Sequence, residues 1–298
     1  MNGTDDLSQR SSTARPAVFH AGKTRLPIGR RTLIMGIINV TPDSFSDGGS
    51  FVTVDAALRQ ADKLLSSGTD VLDIGGESTR PGSAPVGAEE EIRRVVPVLE
   101  ALSARFSCPL SIDTSKPEVA RAALDAGAVI VNDVLGLQGD PAMAGVAARA
   151  QAGVIIMHNA RLYWNADRPT ADIMAAMLPF FTRSLEIARQ AHLTDEQLVL
   201  DPGIGFGVST RESLAMIDRL AELAVFGLPI LVGPSRKRFI GDILNKSVED
   251  RLMGTAAAVA VAIARGADLV RVHDVAGLAD AIALADAICR PDRGEKRA

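Results

Sequence analysis

Leu110-Ser-Ile-Asp-Thr-Ser-Lys-Pro-Glu118 is the stretch whose reading decides the fold. A short apolar run ends on a carboxylate, and a helix start follows at once, with Ser115 suited to an N-cap and Pro117 and Glu118 to the first turn. The stretch predicts a strand over 110–113, a helix over 118–125, and Asp113 at the corner between them. Seven further apolar runs, at 33–39, 71–74, 129–133, 154–158, 198–201, 230–235 and 269–273, also break off into polar or catalytically capable residues. Between them, 54–67, 89–105, 182–191 and 211–223 carry apolar residues at helical spacing without an internal glycine, and Pro97 is placed to kink the second. Strands alternating with helices imply a parallel sheet. Eight such units predict a (β/α)8 TIM barrel with its active site at the C-terminal strand ends.

The 298 residues suit one such α/β barrel, and an apolar fraction of 47% supplies its core. The expected organisation is a disordered tail over 1–16, polar and with almost nothing to bury, followed by one barrel domain over 17–298. A net charge of −4 with mixed signs offers no basic stripe, so no nucleic-acid partner is expected. Two cysteines without metal-ligand spacing fit a reducing compartment. The longest apolar stretch, 256–264, is interrupted by Arg265 before it could span a bilayer, so no membrane contact and a cytoplasmic location are expected. The alanine-rich segment 251–264 reads as a helix buried between neighbours or in a subunit contact.

Two glycine-rich connections follow the first two strands. The first, 41–50, collects hydroxyls and carboxylates that suit a phosphate or a hydrated cation; the second, 75–87, sets Arg80 and two hydroxyls between glycines, as an anion requires. Each reads equally as a solvated turn on composition alone. Asp113, Asn132, Asp201 and Lys237 stand at or just beyond four different strand ends. Together they offer the acceptors, mixed amide and cation that a flat heterocycle with adjacent N–H and carbonyl groups needs. Any one of them alone reads more readily as a cap or ion-pair partner. Arg271 and His273 alternate with Val270 and Val272, so they share one side of the last strand, near where barrels often hold phosphate. His158 closes the fifth strand and reads either as a site residue or as a strand cap. No nucleophile stands beside a base of its own, and Lys237 as a Schiff-base lysine would need a neutral amine, toward which Arg236 and Arg238 could push it.

These residues carry a resemblance. MGIINVTPDSFSDGG over 35–49, DIGGESTRPG over 73–82, 111–116, Asn132-Asp133, Met157-His158, DPGIGFG over 201–207, PSRKRFIG over 234–241 and 271–274 resemble the dihydropteroate synthase family, in order, along nearly the whole chain. The resemblance implies a barrel that condenses (7,8-dihydropterin-6-yl)methyl diphosphate with 4-aminobenzoate, assisted by Mg2+, in folate synthesis. It implies catalytic roles for Asp43, Arg80, Lys237, Arg271 and His273, and contacts from Thr79, Asp113, Asn132, Asp201, Lys237, Arg271 and His273 to the pterin diphosphate. Phe45, Pro81, Phe206 and Arg238 would form the 4-aminobenzoate pocket, and Asn39 would hold the metal. Asp113, Asn132, Asp201 and Lys237 would clamp the pterin, leaving Asn39, Thr79, Arg80, Arg271 and His273 for diphosphate and metal. The family is usually dimeric, which makes a homodimer the expected assembly, and sulfonamides that mimic 4-aminobenzoate should bind.

Two stretches depart from the family pattern. After Met157-His158 the family usually continues with Met and a Gly-containing segment, whereas this chain reads Asn159-Ala-Arg-Leu-Tyr-Trp-Asn165; and Val208 stands where a lysine is common. Two other readings remain: a pterin-binding methyltransferase domain using methyltetrahydrofolate, which has no use for a diphosphate site, and a non-catalytic pterin-binding paralogue.

Overall fold

The computed structural model describes residues 15–40, 50–77, 85–163 and 172–291. An antiparallel hairpin of β1 (Val18–Ala21) and β2 (Thr24–Pro27) comes first. The barrel strands are β3 (Leu33–Asn39), β4 (Val71–Gly75), β5 (Leu110–Asp113), β6 (Ile130–Asp133), β7 (Gly153–Met157), β8 (Leu198–Asp201), β9 (Leu231–Val232) and β10 (Leu269–Val272), joined in parallel in the order β8-β7-β6-β5-β4-β3-β10-β9. Closure between β8 and β9 rests on a bridge from Leu200 to Ile230, with the Leu200 N–H donating to the Pro229 carbonyl at 2.9 Å. The expected eight-stranded parallel barrel is therefore the observed one.

Around it run α1 (Ser50–Ser66), α2 (Ala88–Arg105), α3 (Pro117–Asp125), α4 (Ala142–Arg149), α5 (Ile173–Gln190), α6 (Thr210–Asp218), α7 (Arg238–Leu244), α8 (Leu252–Ala264) and α9 (Val275–Cys289). The start of α3 differs from the sequence reading. Lys116 occupies the cap position without a side-chain cap, while Pro117 takes N1. The side chain of Thr114, not Ser115, receives the Lys116 N–H at 3.3 Å. Helix α5 begins well before the expected 182 and runs through Pro179, because Asp172 caps it and Met174, Met177, Phe180 and Phe181 bury along its first half. Packing there outweighs the hydrogen bond that a proline withholds. The helix expected over 211–223 ends at Asp218 and is followed by a 3-10 turn over Leu220–Phe226.

Two apolar cores divide by strand parity. Ile34, Leu72, Ile112, Val131, Ile156, Leu200 and Val270 pack outward against the helices. Leu33, Met35, Val71, Ile130, Ile155, Val199, Leu231 and Leu269 point into the barrel, where they meet Phe19, Ala21, Leu26 and Ile28 of the hairpin segment. The hairpin thus seals the N-terminal end. Gly153 admits it: a Cβ there would stand 2.5 Å from Phe19 Cζ. Residues 1–14 of the expected tail lie outside the described residues, and Arg15 pairs with the buried Asp268.

Because side chains alternate along a strand, the inward face that is apolar at the bottom continues upward through every second residue. Met35 leads through Ile37 to Asn39, Val71 to Asp73, Ile130 to Asn132, Val199 to Asp201 and Leu269 to Arg271. The floor of the barrel is hydrocarbon, and its mouth is charged.

Candidate active site

Arg271 stands at the centre of that mouth. Its Nε donates to Asp73 Oδ2 at 2.6 Å and its Nη2 to Asp113 Oδ2 at 2.6 Å. Asn132 Nδ2 donates to the same Asp73 oxygen at 3.2 Å. Buried guanidinium and carboxylates compensate one another here; burial opposes the Arg271 charge, but Asp73 and Asp113 hold it well above the ordinary arginine range.

The acids are not fully compensated. Burial pushes the Asp113 carboxyl up to about 7 against the pull of Arg271, and Asp201 up to about 6 against a 2.8 Å bond from the Gly203 N–H. Among the described residues, Asp73 Oδ1, Asp113 Oδ1, Asn132 Oδ1 and Ser111 Oγ are buried without a hydrogen-bond partner. Three acceptors and a hydroxyl around one basic centre await donors, and an unmet buried acceptor costs about 1–3 kcal/mol. A ring bearing several N–H groups would meet them.

Lys237 reaches the same space from the turn after β9. Burial, and then Arg271, lower its amine to about 8, with Asp201 and Asp113 opposing the shift. Arg236 does not contribute as the sequence suggested, since its guanidinium is turned to Asp274 at 2.7 and 2.5 Å. The nearest carboxylates, Asp201 and Asp113, favour the ammonium form of Lys237, the form that donates hydrogen bonds. Its Nζ lies 4.2 Å from the centre of the Phe206 ring.

The sequence set Arg271 apart from the pterin clamp, on the diphosphate side with His273. Its bonds to Asp73 and Asp113 also join it to the group containing Asp113 and Asn132. His273 lies further out, its Nδ1 3.0 Å from Ser235 Oγ, which also accepts the His273 N–H at 3.2 Å. Beside His273 and Asn39 a cavity of about 740 Å3 extends between α1 and the start of α9, past Arg59 and Lys63. Arg238 is exposed and faces Asp242 at 3.6 Å. Asp43, Phe45, Thr79, Arg80 and Pro81 lie outside the described residues.

Asp73 and Ser111 were absent from the expected site. Their signal was in the pattern: each polar side chain interrupts a buried strand on the inward parity. His158 proves structural. It is fully buried, pairs through Nδ1 with the Pro202 carbonyl at 3.0 Å, and meets the edge of Phe180 at 5.0 Å.

Glu77 marks the base of the second glycine-rich connection. Its Oε1 receives the Val86 N–H at 2.9 Å, while Lys116 Nζ sits 2.5 Å from Glu77 Oε2 and 2.6 Å from the buried Glu91. Burial works against the Lys116 charge, yet the two acids raise it above the ordinary lysine value.

For a metal, among the described residues no three His, Cys, Asp or Glu side chains gather to hold one. Asn39 at the end of β3 offers a single amide oxygen, at the edge of the cavity beside His273. Such a donor fits Mg2+, which keeps several waters and substrate phosphate oxygens and asks one or two ligands of the protein.

Comparison with known proteins agrees with this geometry. The family described as pterin binding enzyme matches residues 35–273. The chain is 44% identical over 275 residues to the dihydropteroate synthase of Synechocystis, covering 91% of this chain and 94% of that one. Its structure resembles a Clostridium difficile dihydropteroate synthase solved with pteroic acid, at TM-score 0.83 and 45% identity over 91% of this chain and 99% of the other. It also resembles the Xanthomonas albilineans dihydropteroate synthase solved with 4-aminobenzoic acid, at TM-score 0.84 and 42% identity over 92% and 98% of the two chains.

Proposed function

The chain belongs to the pterin-binding enzymes, as one of their dihydropteroate synthases, and we propose how its residues join a pterin methyl diphosphate to 4-aminobenzoate in folate biosynthesis. The observation that carries the reading is the set of unpartnered acceptors on Asp73, Asp113 and Asn132 around Arg271. Asp113, Asn132 and Asp201 accept from the pterin N–H and amino groups, and Lys237 donates to a ring oxygen or nitrogen. In the reaction the C–O bond to diphosphate breaks, the aromatic amine forms a C–N bond at the freed carbon, and the amine loses a proton.

No protein nucleophile is needed for that exchange. The carboxylates favour positive charge spreading into the pterin as the bond breaks, and His273 and Arg271 favour the departing anion. Asn39 would hold Mg2+, whose charge offsets that of the diphosphate. Residues 43, 80 and 79 keep the roles expected from the sequence, and sulfonamides would compete for the amine site.

Diphosphate release from purified protein is the deciding assay. It should require the pterin diphosphate, 4-aminobenzoate and Mg2+ together. Tight methyltetrahydrofolate binding without diphosphate release would overturn the reading.

Among the described residues no helix is long and apolar enough to cross a membrane, and we assign the enzyme to the cytoplasm, where folate precursors would meet it. We assign it also a homodimer through α7, α8 and α9. Ile243, Leu244, Val248, Met253, Val261, Leu284 and Ile288 on this side are exposed, Met253 at 77% and Ile288 at 70%. An apolar surface of that kind on consecutive helices marks a subunit contact.

A further inference from the structure

The segment after β7, where this chain departs from its family, sits on the wall of the site. A 3-10 turn over Ala160–Tyr163 packs against the loop after β8 so closely that a Cβ on Gly207, at φ +70°, would stand 2.7 Å from Arg161 N. Asn159 fixes the turn from the other side: its Oδ1 accepts the Arg161 N–H at 3.1 Å and its Nδ2 donates to the Val134 carbonyl at 2.9 Å. The backbone of Arg161 is therefore held by two neighbouring strand-end loops.

Its side chain is directed at Phe206. The Arg161 guanidinium lies 5.6 Å from the centre of that ring, and Lys237 Nζ lies 4.2 Å from the same centre. Two cations thus share one aromatic ring, close enough that Arg161 helps depress the Lys237 amine. Among the described residues no carboxylate pairs with Arg161. Asp201 and Asp113 face Lys237 from the strand ends, so among the described residues the carboxylates of this array act on Lys237 and none is paired with Arg161.

We propose that Arg161 is a specificity-determining residue that recognises the anionic group of the second substrate, the carboxylate of 4-aminobenzoate. The assignment rests on the proposed synthase function and goes beyond it by naming what selects an acid over a neutral amine at the rim. A planar guanidinium held against an aromatic face keeps its in-plane N–H groups free to grip a carboxylate. The benzoate ring would lie along Phe206, its amine directed inward toward the pterin and its carboxylate outward toward Arg161.

The test compares 4-aminobenzoate with the neutral 4-aminobenzamide as co-substrates, using diphosphate release from the full-length enzyme. Arg161→Gln should lower the ratio of kcat/KM for acid over amide about three- to tenfold, the range for an ion pair open to solvent on one side. Most of that loss should fall on KM for the acid, and Arg161→Lys should restore part of the ratio. An unchanged ratio, or an equal loss with both amines, would overturn the assignment and leave Arg161 a packing residue. Should Arg161→Gln fail to fold, the wild-type enzyme supplies the second measurement: KM for the acid should rise with added salt more steeply than KM for the amide, and parallel slopes would overturn the proposal. Failure of the wild type to release diphosphate with either amine would instead overturn the synthase reading itself.

Discussion

Asp201 shows how one residue couples binding to stability. Its carboxyl is raised from an ordinary 3.8 to about 6. Below the ordinary value it is protonated in both folded and unfolded chains. Between that value and about 6 the unfolded chain has released its proton while the folded one retains it, so stability falls as pH rises through this window. A shift of this size corresponds to about 3 kcal/mol. Urea titrations of the ligand-free protein from pH 4 to pH 7 should show the decline, and Asp201→Asn should flatten part of it. Pterin affinity should move the opposite way, tightening as pH rises through about 6, because two carboxylate oxygens accept N–H bonds only when ionised. At neutral pH, Asp201→Asn should weaken pterin binding by about 1.5–3 kcal/mol, roughly ten- to a hundredfold by calorimetry. Equal affinity in the variant would contradict the assignment. Asp113, Asn132, Asp201 and Lys237 were legible because each ends or follows an apolar run. The pairing of Arg271 with Asp73 and Asp113 was not, since strand parity brings distant residues together and no local spacing announces it.

At the scale of the element, the Lys116 contacts bind α3, α2 and the base of the connection after β4 into one unit. Lys116→Met should destabilise the protein by about 3 kcal/mol in urea, because it leaves Glu91 buried without its cation. Lys116→Arg should recover part of the loss; a change under about 0.5 kcal/mol would mean the pair is a surface contact in effect. The hairpin of β1 and β2 makes a second such test. Phe19→Ala should cost about 3–5 kcal/mol, as emptying a large buried aromatic site does, with kcat at low temperature little altered because the site lies at the other end. The barrel strands were readable as short apolar runs between helical stretches, and three of them, 33–39, 110–113 and 198–201, have the observed limits. The hairpin was missed: its strands have four residues each, and their fit to the barrel floor depends on contacts made far along the chain, such as Phe19 on Gly153. The start of α5 was hidden by Pro179, whose cost is offset by a core that periodicity does not show.

At the scale of the whole molecule, the helices most apolar on their outer side are consecutive around one flank of the barrel. Met253→Glu with Leu284→Glu should shift sedimentation from a dimer to a monomer and lower the thermal midpoint in a concentration-dependent way. A wild-type monomer at micromolar concentration would exclude the proposed assembly. The family and its barrel were recognisable from ordered motifs, whereas an assembly surface is only a composition in the sequence. The alanine-rich 251–264 segment pointed to it, but left inner packing and outer contact undistinguished.

The hairpin that seals the barrel floor also bears on the order of events. Phe19 and its neighbours stop one end of the barrel, so among the described residues the charged strand ends are approached from the other end, where Phe206 and Arg161 stand on the loops beyond the strands that carry Asp113, Asn132 and Asp201. A compartment with one door loads from the back: the pterin must be seated before the amine, and an amine already in place would obstruct it. Initial-rate patterns should therefore be those of compulsory sequence, with excess 4-aminobenzoate acting as a blockade on the empty enzyme.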